Sequence, residues 1–183
     1  MIAAATRLFV DQGYEATSIA DISSASGVSN GSIFHHFGNK DGVAVEIFLK
    51  ERRVYWDAIA DAMTAETDPL DGIEAGLRAA FKFLQDYPKL CHFIVSCSTS
   101  DWLQRSGTIY TDHSREFMIW IMTWAAPYMA AGRLPKMHPS AFGAMLFGPS
   151  GWVTFAIGMD NTDRDPAPIL EDLVQMTRKA FSA

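Results

Sequence analysis

Apolar residues recur at intervals of three and four along the chain, with no sustained apolar-polar alternation, and this period predicts helices and an all-α fold. A first helix runs from about Ile2 to Gln12, with Ile2, Ala5, Leu8 and Phe9 on its inner stripe and Gly13 ending it in a left-handed cap. Two short helices follow around Gly27-Val28-Ser29. A long one then runs from about Lys40 to Ala65, its apolar face carried by Val43, Ile47, Phe48, Tyr55, Ile59 and Met63. Asp68-Pro69 opens the next, with Ile73, Leu77, Phe81 and Leu84 inward, and Tyr87-Pro88 stops it. A short helix from Pro88 to about Ser98 leads into a loop, Ser98 to Thr108, rich in Ser, Thr and Gly. From about Asp112 to Ala131 aromatic and Met residues surround the axis, the mark of a helix buried on most sides. An uncharged helix from Pro139 to Met159 and an amphipathic one opened by Asp165-Pro166 complete a count of about nine.

The stretch Thr17 to Lys40 carries the most specific pattern: two short helices about a Gly-Val-Ser turn, followed at once by a third. That is the layout of a helix-turn-helix, which sets its second helix in the major groove of DNA. Thr17 or Ser18 caps the first of the pair, and the same hydroxyls and free N–H groups can hold a phosphate. Gly27 suits a left-handed exit, Val28 plugs the space between the helices, and Ser29 caps the next. In the following run only Ile33 and Phe37 need to face inward. Asn30 can bond adenine, Ser32 a base edge or phosphate, and Gly31 lets the backbone approach DNA closely. His35 and His36 offer ring donors to phosphate, and Lys40, after the N-cap Asn39, stands beside free N–H groups at a helix start. The plain alternative is that Asn30, Ser32 and His35 are solvated polar residues on a short surface helix.

Composition changes this picture in one respect. The chain of 183 residues is 49% apolar, enough for a buried core, but its formal net charge is −6, so no global positive field draws it to nucleic acid. Residues 1–53 carry five basic against six acidic side chains, a balance of −1, and any DNA binding must come from local geometry. Cys91 and Cys97 fit neither a zinc nor a redox spacing and are expected in the core. The five histidines form no metal constellation, and neither metal nor cofactor is expected. Met1 leads straight into a helical pattern without a signal peptide, which places the protein in the cytoplasm. Residues 139–159 are long enough to span a bilayer, but Gly143, Gly148, Pro149, Gly151 and Gly158 and the lack of flanking basic clusters favour a helix buried within an assembly. Gly148-Pro149-Ser150-Gly151 is not a nucleophile elbow, and no enzyme is expected.

The run from about Phe9 to Val43 resembles the amino-terminal domain of the TetR family of transcriptional repressors. The resemblance is carried by Leu8-Phe9, Gly13-Tyr14, Thr17-Ser18, Ile22, Gly27-Val28-Ser29, Gly31, Ile33-Phe34, His36-Phe37 and Asn39-Lys40-Asp41. It implies a DNA-binding domain over 1–46 and a ligand-binding and dimerisation domain over 47–183. It also implies a homodimer on a double-stranded operator and a small-molecule effector that releases it. Carried over residue by residue, it assigns Ser18, Asn30, Gly31, Ser32, Phe34, His35, His36 and Lys40 to the DNA face. The sequence departs from the family at Phe34, where Tyr is usual, at Ser23 and Ser26 in place of Ala, and in lacking basic residues before the first helix.

Beyond about Arg53 composition alone speaks. Phe81, Phe93, Trp102, Phe117, Trp120, Met122, Trp124, Phe147 and Trp152 make an aromatic and Met set suited to an apolar or flat ligand, unless they simply fill a core. Residues 139–159 and 166–181 form half of a four-helix bundle, with Phe147, Trp152, Phe155, Leu170, Leu173, Val174 and Phe181 at a two-fold interface. The rival reading is a helical ligand-binding or protein-interaction module with weak or lost DNA binding, and under either reading no membrane association is expected.

Overall fold

The computed structural model describes residues 1–160 and 167–182. Ten helices make up these residues, with no strand among them: α1 Ile2–Gln12, α2 Ile19–Ser26, α3 Asn30–Phe37, α4 Lys40–Thr64, α5 Pro69–Asp86, α6 Pro88–Cys97, α7 Asp101–Arg105, α8 Thr108–Ala130, α9 Pro139–Asp160 and α10 Ala167–Phe181. The tenth helix is α7, within the stretch expected to be a loop, and α8 begins at Thr108 instead of Asp112. A helix of five residues has too few turns to show a period and is not stable alone. It forms because Trp102 and Leu103 are buried. Gly13 is also a correction: its φ of 89° and ψ of 158° put it outside the left-handed helical region, although its N–H still closes α1 on the Phe9 carbonyl. The expected opening of the last helix at Asp165-Pro166 lies outside the described residues.

The chain divides into two compact units, each made of two stretches. One is Met1–Arg53 with Lys89–Asp112, the other Val54–Pro88 with His113–Ala183. The first is built on Ala5, Phe9, Ile22, Ile33, Val43, Ile47 and Phe48, joined by Phe93, Cys97, Trp102 and Leu103 from the second stretch. Fully burying one Phe or Ile in this way contributes roughly 1.5–3 kcal/mol. Cys91 and Cys97 are buried thiols outside any disulfide, and burial pushes both up to about 12, so they stay protonated and unreactive.

In the second unit α5 packs against α9 and α10. Its core includes Ile59, Met63, Ile73, Ile121, Phe142, Leu146 and Phe181. Asp68 caps α5 by accepting the N–H groups of Leu70 and Asp71, with Pro69 at the first helical position. Arg78 grips Glu171 with two bonds, at 2.6 and 2.9 Å, and Arg178 reaches Asp71 and Glu74, each at 2.8 Å, so both ends of α10 are tied to α5. Among the described side chains of α8 only Ile121 and Ala125 are fully buried, and Ile119 is 59% exposed, so this part of the helix is less enclosed in the single chain than its composition suggested. Phe117, Trp120, Trp124 and Tyr128 are each partly exposed and pack on neighbouring rings. Among the described residues no helix is long and apolar enough to cross a membrane.

Candidate nucleic-acid interface

Two caps and one glycine set the α2–α3 pair. At α2 the Ser18 hydroxyl accepts the Asp21 N–H at 3.1 Å, while the Asp21 carboxylate accepts the Ser18 N–H at 2.8 Å and its hydroxyl at 2.6 Å, a complete capping box. These bonds hold the Asp21 carboxyl below its ordinary value. Gly27 then takes the left-handed conformation, φ 70° and ψ 7°, that ends α2. The Ser29 hydroxyl accepts the Ser32 N–H at 3.2 Å and starts α3. Ile33 is buried and Phe37 partly so, while Asn30, Gly31, Phe34, His35 and His36 are exposed along the rest of α3.

Gly31 is informative because nothing inside the chain requires it. Its backbone is ordinary, and a Cβ there would meet no atom within 4 Å. Gly in a helix costs about 0.5–1 kcal/mol relative to Ala, so α3 carries a small penalty that its own unit does not explain. Gly42 is the opposite case. A Cβ at this position would lie 1.9 Å from the Phe37 carbonyl oxygen, so the turn from α3 into α4 closes only over a glycine. Asn39 caps that start, accepting the Gly42 N–H at 2.9 Å.

Several expected contacts are redistributed. Thr17 is 1% exposed and its hydroxyl donates to the Gly13 carbonyl at 2.9 Å, so its side chain belongs to the core and not to a DNA face. Ser18 is exposed, but its N–H and hydroxyl are both used by the capping box. His35 and His36 do not diverge fully, for their rings meet edge to face at 5.3 Å. Lys40 does not stand free beside the N–H groups of α4: its ammonium donates to the Tyr14 carbonyl at 2.9 Å and lies 4.1 Å from the centre of the Tyr14 ring. The Tyr14 hydroxyl donates to one oxygen of Asp41, and the Arg105 guanidinium donates to the other at 2.9 Å. The Tyr14 hydroxyl and Arg105 keep the Asp41 carboxyl below the usual carboxylate range. Burial first, then Asp41, raises the Tyr14 phenol. This Lys40-Tyr14-Asp41-Arg105 cluster had no signal in the sequence, because Arg105 lies 64 positions from Asp41.

Residues 1–47 match the family model of bacterial regulatory proteins, tetR family. Those 47 residues are a TetR-family amino-terminal domain. Over 79 residues it is 42% identical to the HTH-type transcriptional regulator LmrA of Bacillus subtilis (strain 168), a match covering 43% of the chain and 42% of LmrA, less than half of that protein. Over 179 residues it is 24% identical to the uncharacterized HTH-type transcriptional regulator YxaF of the same strain, covering 96% of the chain and 92% of YxaF. Its fold matches that of FadR from Bacillus subtilis, solved in complex with stearoyl-CoA, with a TM-score of 0.76 at 15% identity, over 98% of this chain and 97% of that one.

The residues expected to line a ligand site or a dimer face fall into distinct environments. Phe93 and Trp102, 5% and 4% exposed, are core residues of the first unit whose remaining surface lines a cavity of about 580 Å³ there, whereas Phe81 is sealed in the second unit at 0% and offers no surface to a ligand. Phe117 is the centre of a half-buried aromatic cluster in the second unit, stacked on Trp56 at 4.4 Å and Trp120 at 5.6 Å and tilted against Phe147 at 5.3 Å. Trp124 packs on Tyr128 at 5.2 Å, and Met122 is half-buried beside this core. Of the expected dimer residues, Val174 and Phe181 are buried within the chain, Phe181 against Phe142 at 4.8 Å, because α10 turns that stripe toward its own unit. Trp152 and Phe155 are exposed at 69% and 43%, with Leu170, Leu173 and Phe147 intermediate. Ile169 and Met176, exposed at 43% and 66%, were missing from the expected set.

Proposed function

We propose that this protein is a DNA-binding transcriptional regulator of the cytoplasm that sets α3 of each subunit of a homodimer into successive major grooves of an operator. The observation that carries this reading is the outward face of α3. Asn30, Phe34, His35 and His36 are exposed around a glycine that the fold itself leaves unused. Asn30 is the base reader, since its amide can pair with adenine, and Phe34, half exposed, suits the thymine methyl. The homodimer rests on the exposed Trp152, Phe155, Ile169 and Met176, too large an apolar set for a monomer surface.

The regulator is a repressor, and a small apolar effector releases it. The half-buried cluster of Trp56, Phe117, Trp120 and Phe147 supports an apolar or flat molecule, and the stearoyl-CoA bound by FadR supports a long acyl chain as one form of it. The test is a titration of duplexes enriched by the protein from a randomised pool, at stated salt, with and without stearoyl-CoA. Selective binding relieved by the acyl-CoA supports the whole reading. Selective binding that no apolar ligand relieves removes the effector part. Absence of any enrichment over unrelated DNA favours the rival in which the fold serves protein or ligand contacts only.

A further inference from the structure

We infer that Arg105, far outside the helix-turn-helix, is a positioning residue for DNA binding, holding Asp41 so that its neighbour Lys40 presents an uncancelled, fixed ammonium to a phosphate. The inference rests on the reading of α3 and the start of α4 as a DNA face. Lys40 and Asp41 are consecutive at that start, and an unengaged carboxylate beside an ammonium would both draw it away and offset its charge. Here both Asp41 oxygens are occupied, one by the Tyr14 hydroxyl and the other by Arg105 at 2.9 Å. The positive charge of Arg105 offsets the negative charge of Asp41, leaving that of Lys40 in surplus.

The same contacts fix Lys40 in place. Asp41 pins the Tyr14 ring, which lies 4.1 Å beneath the ammonium, and the Tyr14 carbonyl accepts one of its three protons at 2.9 Å. Lys40 is therefore partly buried and ordered before DNA arrives, so a phosphate contact loses less side-chain freedom than a free lysine would. Trp102, one turn-neighbour from Arg105 in α7, is 4% exposed and stacks on Tyr14 at 5.4 Å, so α7 is held firmly enough for Arg105 to act as a clamp. The Arg105 side chain is 62% exposed, and an exposed ion pair adds little to stability, so its removal leaves the fold intact.

The test is a double-mutant cycle on the full chain, with Arg105→Ala, Lys40→Ala and the double variant. Each is titrated by fluorescence anisotropy across a salt series, on a duplex enriched from a randomised pool by the unaltered protein and on an unrelated duplex. Arg105→Ala is expected to weaken both duplexes about three- to tenfold and to lower the log-log salt slope by about one. In the Lys40→Ala background the same change should move affinity less than about twofold. Tyr14→Phe, which removes only the hydroxyl on Asp41, should give the same Lys40-dependent loss, and Arg105→Lys should recover most of it. Equal fold losses in both backgrounds, or full affinity for Arg105→Ala, overturn the inference while the DNA reading stands. An unaltered protein that binds neither duplex at low salt overturns both.

Discussion

Replacing Gly31 with Ala separates a structural glycine from one kept for a partner. The added methyl meets nothing within 4 Å, the backbone has an ordinary φ, and the position lies inside the helix α3. Alanine should therefore stabilise the chain by about 0.5–1 kcal/mol. For a protein of this size that raises Tm by roughly 1–4 °C. On DNA the sign reverses, because a methyl forced into a close-packed contact costs about 1–3 kcal/mol. At the lower figure a single contact loses about fivefold in affinity and a pair, one per half-site, about 30-fold. Scanning calorimetry and anisotropy on one preparation read both numbers, and the size of the loss also counts the helices engaged. A stabilised variant with undiminished affinity would refute the placement of Gly31 against DNA. A destabilised one would refute the claim that the fold leaves it free.

Gly42→Ala should act oppositely, destabilising by about 1–3 kcal/mol in urea melts as its methyl meets the Phe37 carbonyl; a neutral result would mean the α3–α4 turn relaxes freely. Phe181→Ala should lose about 3–5 kcal/mol of stability as a core deletion, whereas Trp152→Gln should spare the stability of the chain and weaken self-association in sedimentation; the reverse pattern would overturn the assignment of the two faces. Acid should destabilise through Glu171, held low by Arg78, and Asp41, held low by the Tyr14 hydroxyl and Arg105. Because these folded values lie below the ordinary 4.5 and 3.8, their contribution is full above about pH 5 and is lost as pH falls through the folded values, so Tm should stay flat down to about pH 5 and drop below it. A drop that began near pH 6 would contradict this assignment. Cys91 and Cys97 should resist a thiol reagent until the chain unfolds, and rapid labelling of the native protein would contradict their burial.

What the sequence disclosed was local. Ser18, Gly27, Ser29 and Asn39 could be read as caps because a hydroxyl, an amide or a missing Cβ acts within three residues of itself, and Ile22 and Ile33 follow from helical period. What it concealed was set by distance along the chain. The helix α7 exists because Trp102 and Leu103 are docked, and Arg105 meets Asp41 only once that helix forms. Lys40 could not be seen to turn onto Tyr14 for the same reason. Aromatic abundance said nothing of which rings face inward, so Phe81, Phe93 and Trp102 read like Phe117 and Trp120, although the first three are buried and the last two only partly so. On α10 the period marked Val174 and Phe181 as apolar without telling a stripe facing its own unit from one facing a second copy. The net charge of −1 over residues 1–53 was legible in the sequence, and under the proposed reading it leaves DNA binding to the few ordered groups at α3 and Lys40.

The central claim is that α3 reads bases, and the direct measurement is sequence selection from a randomised duplex pool with the unaltered protein and with Asn30→Ala. The account predicts a two-fold symmetric motif for the first and the same motif relaxed at one position of each half for the second. No motif from the unaltered protein, or an identical motif from both, would contradict it.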